Sequence, residues 1–124
     1  MIAGIGTDIT DVARIAAKIR QERGFRELVF SPAEIEYCEM KKSSAEHYAG
    51  RFAAKEAFLK ASGIGLQRSF ELHQIEVVND ESGKPGFRLS GTFLRLQDEN
   101  QWKSVHLSIS HIESVATAVV IIEK

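Results

Sequence analysis

RFAAKEAFLKA, residues 51–61, sets Arg51, Lys55, Glu56 and Lys60 among alanine, phenylalanine and leucine, a charge density too high for an ordinary core helix. At about 100° per residue, Arg51 and Lys55 point in neighbouring directions, as do Glu56 and Lys60, with Phe52 and Leu59 between the two pairs. Ala53, Ala57 and Ala61 leave a flat opposite side against which another element can pack closely. Taken alone, the stretch reads as a solvated helix in which Glu56 and Lys60 form an i,i+4 pair that contributes about 0.2–0.5 kcal/mol.

Working outward, Ser43 followed by Glu46 starts this helix, which runs to Ser62, where Gly63 and Gly65 end it. Upstream, Ser31-Pro32-Ala33-Glu34 is a capping box with proline at the first helical position, starting a helix through about Met40. Residues 2–8 read as a strand. Thr10 or Asp11 caps a further helix that reaches about Arg23, with Gly24 as its stop. Val12, Ile15 and Ile19 form its buried stripe, opposite Arg14, Lys18 and Gln21. Downstream the period changes. His73 to Val78 is a strand, Asn79 to Pro85 a turn-rich loop, and Phe87 to Leu89 the returning strand of a hairpin. A short helix follows from about Gly91 to Asp98, with Phe93, Leu94 and Leu96 on its apolar side. Val105, Leu107 and Ile109 then alternate with polar residues, a half-buried strand, and Val115 to Ile122 is so continuously apolar that burial on both faces is expected. Helices concentrated in the first half and antiparallel strands in the second predict an α+β fold, with helices packed on a mainly antiparallel sheet.

The 124 residues are expected to form a single domain, 1–124, with no room for a second core. Apolar and charged contents of 44% and 27% are those of a globular chain, and no apolar run approaches the roughly 20 residues of a membrane span. The start lacks the pattern of a secretory signal, and Cys38, the one cysteine, has no internal disulfide partner, so a cytoplasmic location is expected. None of the four histidines has zinc-type spacing with another histidine or with cysteine. A net charge of −1 gives no reason to expect nucleic acid as a partner. Its distribution is uneven, however. From Asp11 to Arg26, five cations (Arg14, Lys18, Arg20, Arg23, Arg26) stand against two anions (Asp11, Glu22), a local +3 that leaves −4 elsewhere.

Two further segments flank the central helix. IAGIGTDI delivers Asp8 at the end of the first strand, and VHLSISH delivers His111 at the end of another. GIGTDI (4–9), RFAAKEAFLKA (51–61) and SISH (108–111), in this order and at this spacing, resemble the three signatures of the holo-acyl-carrier-protein synthases, the short single-domain branch of the 4′-phosphopantetheinyl transferases. The resemblance covers essentially the whole chain. The chain departs from the family pattern at Thr7, where an apolar residue is common, and in a shorter stretch after Ser62.

The resemblance implies an Mg²⁺-dependent enzyme of fatty acid biosynthesis. It moves the phosphopantetheine arm of coenzyme A onto a serine of acyl carrier protein and releases 3′,5′-ADP. Such a reaction needs a hard cation on the phosphate oxygens, fixed positive charge around them, and an acceptor for the serine proton. Asp8 and Glu56 match the family's metal-binding carboxylates, and either Glu56 or a metal-bound water is the base. Arg51, Lys55 and Lys60 match positions that face the coenzyme's phosphates. Gly83, Lys84 and Pro85 match a loop near the nucleotide, and His111 lies by resemblance against the coenzyme, while Ser108 and Ser110 can either donate to phosphate or form only the polar face of their strand. Arg14, Lys18, Arg20, Arg23 and Arg26 fall in the region with which the family grips its acidic carrier protein. A homotrimer with sites between neighbouring subunits is implied as well. Two other readings stand beside this one: another Mg²⁺-dependent phosphoryl transferase, against which the absence of GxxxxGK[ST] and GxGxxG argues, and a non-catalytic module that binds an acidic protein.

Overall fold

The computed structural model of the chain describes residues 1–64 and 71–124. Its centre is the helix that carries the 51–61 stretch, α4 (Ser44–Ser62), laid across a three-stranded antiparallel sheet of order β1-β5-β4. β1 spans Ile2–Asp11, β4 Ser104–His111 and β5 Val115–Glu123. Before α4 come α1 (Val12–Gln21), α2 (Phe25–Val29) and α3 (Pro32–Glu39); after it come the hairpin β2 (Ile75–Asn79) and β3 (Pro85–Leu89), then α5 (Gly91–Asn100). This is the α+β arrangement that the change of period predicts.

The flat alanine side of α4 is where β1 lands. A Cβ on Gly6 would lie 2.0 Å from the Ala57 carbonyl oxygen, and one on Gly4 1.9 Å from that of Ala61. Only glycine allows this approach. Because strand residues alternate in facing, Gly6, Asp8 and Thr10 all turn toward α4, while Ile5, Thr7 and Ile9 turn away. The close approach at Ala57 therefore carries Asp8 to the neighbouring Glu56. Phe58, fully buried on α4, collects Phe87, Phe93 and Trp102 edge-on at centroid distances of 5.4, 5.9 and 5.8 Å, joining the hairpin and α5 to the core.

Several expectations hold and several change. The capping box is present: Glu34 N donates to Ser31 Oγ at 3.2 Å, and Ser31 N to Glu34 Oε1 at 2.9 Å. α4 ends at Gly63 in the left-handed region (φ 77°), though the Ser43 side chain makes no capping bond; the second expected stop, Gly65, lies outside the described residues. β1 runs three residues beyond the expected 2–8 because Ile9, Thr10 and Asp11 still pair with β5. α1 stops at Gln21, not near Arg23. Gly24 (φ 83°) instead precedes α2, a helix that five residues show no period to announce; its last residue Val29 and the following Phe30 are buried. The strand expected from His73 begins at Ile75, after one tight turn. Leu94, expected on the apolar side of α5, is 44% exposed.

The largest change concerns β5. Ala116, Ala118, Val120 and Ile122 are buried against α4, but no described element covers the other face, where Val119 is 38% exposed and the β1 neighbours Ile5 and Ile9 are 63% and 70% exposed. An apolar run on both faces of a strand needs two covering layers, and one copy of the chain supplies one.

Candidate active site

The second half of the 51–61 stretch meets β1. Lys60 Nζ donates to Asp8 Oδ1 at 3.1 Å and to the Thr7 carbonyl at 2.9 Å, and the buried Thr10 hydroxyl donates to Asp8 Oδ2 at 2.7 Å. Glu56 stands beside this group. Its Oε2 is buried and has no hydrogen-bond partner. Burial, reinforced by the Asp8 charge, pushes the Glu56 carboxyl above its ordinary range, while Lys60 and Arg14 pull the other way. Two carboxylates from separate elements, one with a bare buried oxygen, suit a hard cation that completes its shell with water and phosphate oxygens. A hollow of 300 Å³ beside Asp8 and Lys60 is lined on its far side by Thr117, Ala118 and Val119 of β5.

The first half of the stretch faces the hairpin. Arg51 is only 4% exposed, its Nη2 donates to Asn79 Oδ1 at 2.7 Å, its guanidinium carbon lies 3.9 Å from the Tyr37 ring centroid, and its Nε has no partner. It borders a recess of 170 Å³ that also takes in Tyr37, His47, Asn79, Gly83, Pro85 and His111. The recess walls are braced. Asn79 Nδ2 donates to the Gly83 carbonyl at 3.0 Å, and Asp80 Oδ1 accepts Ser82 N and Lys84 N, each at 2.9 Å, which ties the loop at its tip. His111 Nδ1 bonds Glu46 Oε1 at 2.8 Å, and its ring packs edge-on against His47 at 5.1 Å. Burial, with the charges of His111, Lys41 and Arg51, holds the His47 imidazole below its usual pKa.

Of the residues singled out from sequence, the structure thus brings Asp8, Glu56 and Lys60 together at one end of the stretch and Arg51, Gly83, Pro85 and His111 at the other. Glu56 lies five residues beyond Arg51 on the same helix, about 7.5 Å along the axis. Lys84 borders a second groove on the far side of Pro85, and Ser110 is exposed on β4 with its carbonyl, not its hydroxyl, in contact with Thr117.

Lys55 is not with them. The expectation that it faces phosphate is corrected by its position: its side chain is 0% exposed, and Nζ donates to Glu34 Oε1 at 2.8 Å, the Leu72 carbonyl at 2.9 Å and the Ile75 carbonyl at 2.8 Å. All three ammonium protons are used, and burial pulls its pKa down even as Glu34 supports its charge. The 40° between Arg51 and Lys55 on the helical wheel is enough to send one to the recess rim and the other into the interior.

On the basic segment, Arg14, Arg20 and Arg23 are exposed. Lys18 pairs with Glu22 at 3.1 Å, and Arg26 with Glu27 at 2.9 Å and Glu39 at 3.2 Å, so the field of the patch is softer than the local charge suggests. Arg14 sits 6.0 Å from the Phe52 centroid, on the side of α4 from which it acts on Glu56. Sequence reading missed Thr10, Tyr37, His47 and Asn79. Thr10 alone had a legible signal, because two residues after Asp8 on a strand it shares the same face.

On this α+β chain, one helix thus carries a carboxylate pair beside a lysine at one end and a recess bordered by a buried arginine at the other. The chain belongs to the 4′-phosphopantetheinyl transferase superfamily, whose model matches residues 4–120. A holo-[acyl-carrier-protein] synthase of Cytophaga hutchinsonii is 50% identical, with 100% of this chain and 99% of that one covered. Among solved structures, the holo-[acyl-carrier-protein] synthase of Neisseria meningitidis superposes with a TM-score of 0.89 at 34% identity, covering all of both chains. That of Bacillus anthracis, in complex with CoA (3′,5′-ADP), gives 0.81 at 38% identity over 100% of this chain and 98% of that one.

Proposed function

We propose that this chain transfers the 4′-phosphopantetheine group of coenzyme A to a serine of apo acyl carrier protein and releases 3′,5′-ADP, the step that readies the carrier for fatty acid biosynthesis. The observation that carries the reading is the Asp8–Glu56 pair with its unpartnered buried oxygen, one and a half helical turns from a preformed cationic recess. The relatives named above, one of them holding CoA, support the substrate class.

In this reading the recess receives the nucleotide end of the coenzyme, with Arg51, the Gly83–Pro85 loop and His111 around it. Lys60 is the movable cation at the carboxylate end: 54% exposed in its side chain, it can shift from Asp8 to a phosphate oxygen at little cost. Asp8 and Glu56 would hold Mg²⁺, which supplies charge neutralisation on the pyrophosphate when bound. Thr10 keeps Asp8 from rotating. The serine proton passes to the Glu56 oxygen that makes no hydrogen bond, or to a water beside it, as the hydroxyl attacks phosphorus and the bond to the 3′,5′-ADP oxygen breaks. The exposed cations of α1 meet the acidic carrier, and residues 1–124 act as one domain.

A homotrimer fits the same molecule. The uncovered face with Ile5, Ile9 and Val119 is apolar, and the hollow beside Asp8 opens along it, so a neighbouring subunit seated there would complete the wall of the site. Sedimentation equilibrium is expected to give three chains per particle, and Ile5→Asp with Val119→Asp to give one; a wild-type monomer at all concentrations refutes it. No described helix is long and apolar enough to cross a membrane, and a cytoplasmic setting would place the enzyme with coenzyme A. The direct test mixes the chain with coenzyme A, Mg²⁺ and apo carrier protein and reads the carrier's mass. A gain of one phosphopantetheine arm is expected; a carrier of unchanged mass, with coenzyme bound to the enzyme, would point to a non-catalytic binding module.

A further inference from the structure

Lys55 stands in sequence between Arg51 and Lys60, each of which borders a cavity, yet none of its own donors is free. Its ammonium holds one side chain of α3 (Glu34) and two backbone carbonyls at the entry to β2 (Leu72 and Ile75). Glu34, equally at 0% side-chain exposure, returns the contact to the hairpin, accepting the Val77 amide at 2.8 Å through its other oxygen. One turn earlier on α4, Arg51 takes the far end of β2 through Asn79, and Asn79 passes the constraint to the Gly83 carbonyl. Moving four residues back along the helix, from Lys55 to Arg51, covers about 6 Å, while moving four forward along the strand, from Ile75 to Asn79, covers about 13 Å. The two cations are therefore rungs that fix the direction of the hairpin as well as its distance.

We propose that Lys55, together with Glu34, is a positioning residue that docks the β2–β3 hairpin on α4 and thereby sets the width of the recess for the nucleotide end of coenzyme A. The inference rests on the proposed function for the identity of the ligand, but the docking itself does not. A fully buried ion pair is replaceable by apolar groups without loss of stability in many proteins, so stability alone does not account for it. What an apolar pair lacks is direction: five hydrogen bonds at this junction specify which backbone groups of β2 and α3 meet the helix.

Three measurements test this, with coenzyme A alone as the binding probe. In the wild type, the Lys55 ammonium should give slowly exchanging proton–nitrogen NMR signals that stay in place when coenzyme A is added, while Lys60 shifts. In Lys55→Met and in Lys55→Met/Glu34→Gln, which leaves no unpaired charge, coenzyme A affinity should fall about tenfold, the scale of losing one hydrogen bond to the ligand, with the rate at saturating coenzyme much less affected because the reacting end of the helix is untouched. Amide exchange across residues 75–89 should quicken in the same variants, and Lys55→Arg should not restore the affinity, because a planar fork cannot repeat a three-way ammonium contact. A Lys55 signal that moves with coenzyme A overturns the inference, even if both variants fail to fold. So do folded variants with wild-type affinity and exchange. Failure of the wild type to bind coenzyme A would instead count against the proposed function, and the exchange data would still decide the docking.

Discussion

The two ends of the 51–61 stretch treat their charges in opposite ways. Arg51 and Lys55, toward the hairpin, are 4% and 0% exposed and bonded to Asn79, Glu34 and two carbonyls, so the recess beside them is set before any ligand arrives. At the other end, Lys60 rests on Asp8 with its side chain half in solvent, and Glu56 keeps a buried oxygen without a partner. A cation that turns inward at a junction of three elements becomes architecture, because every donor must be satisfied there. One at the rim stays free to exchange partners. The recess end is thus suited to recognition of a fixed shape, and the carboxylate end to handling charge that appears during reaction.

The comparison breaks most visibly at the carboxylates. Asp8→Asn and Glu56→Gln are each expected to lower transfer by about 10²–10³-fold, the scale of losing one preorganised charge-stabilising group, with coenzyme affinity far less affected. Near wild-type rates in both variants at limiting Mg²⁺ would show that this end does no chemistry. The same Glu56 variant carries a pH signature. A carboxyl whose folded pKa is raised binds more protons in the native state, so stability falls as pH rises from its ordinary value near 4.3 through the raised one, and stays lower above it. In Mg²⁺-free buffer, Glu56→Gln should therefore melt above the wild type at pH 8, the gap closing toward pH 4. Equal Tm values across that window would mean that the carboxyl is not strained by burial.

A smaller effect separates the two cations. Arg51→Gln should weaken coenzyme A binding about tenfold and also lower Tm, because it removes a contact braced on Asn79 and Tyr37. Lys60→Gln should alter kinetics with Tm nearly unchanged, since an exposed ion pair contributes about 0–1 kcal/mol. If the two variants behave alike, the division of the helix into a fixed and a mobile end is wrong.

The smallest effect lies outside the stretch. Reversing Arg14 and Lys18 to Glu should raise KM for carrier protein severalfold, leave coenzyme affinity unaltered, and matter less as salt rises, given a Debye length of about 8 Å at physiological ionic strength. Lys18 already has Glu22 as a partner, so Arg14 should account for most of the change. A KM indifferent to both charge and salt would move the docking surface away from α1.

Much of this molecule is local and so can be read along the chain. The Ser31–Glu34 capping box, the span of α4 and the flat alanine side at 53, 57 and 61 follow from helix geometry acting over a few residues. Three motifs in order, matched to a known family, named the carboxylates. Tertiary structure decided the rest. Helical period says that Lys55 is next to Arg51, but not that α3 and the entry to β2 close over one and leave the other at a rim. α2 is too short to show a period, and its place follows from burying Val29 and bringing Phe30 into the core. The apolar run of β5 states how much surface must be covered, whereas only the fold shows that α4 covers one face and that the other is left beside Asp8. Propensity and period act between near neighbours in sequence; which charge is buried and which face is left open depends on contacts between segments tens of residues apart, and those exist only once the chain has folded.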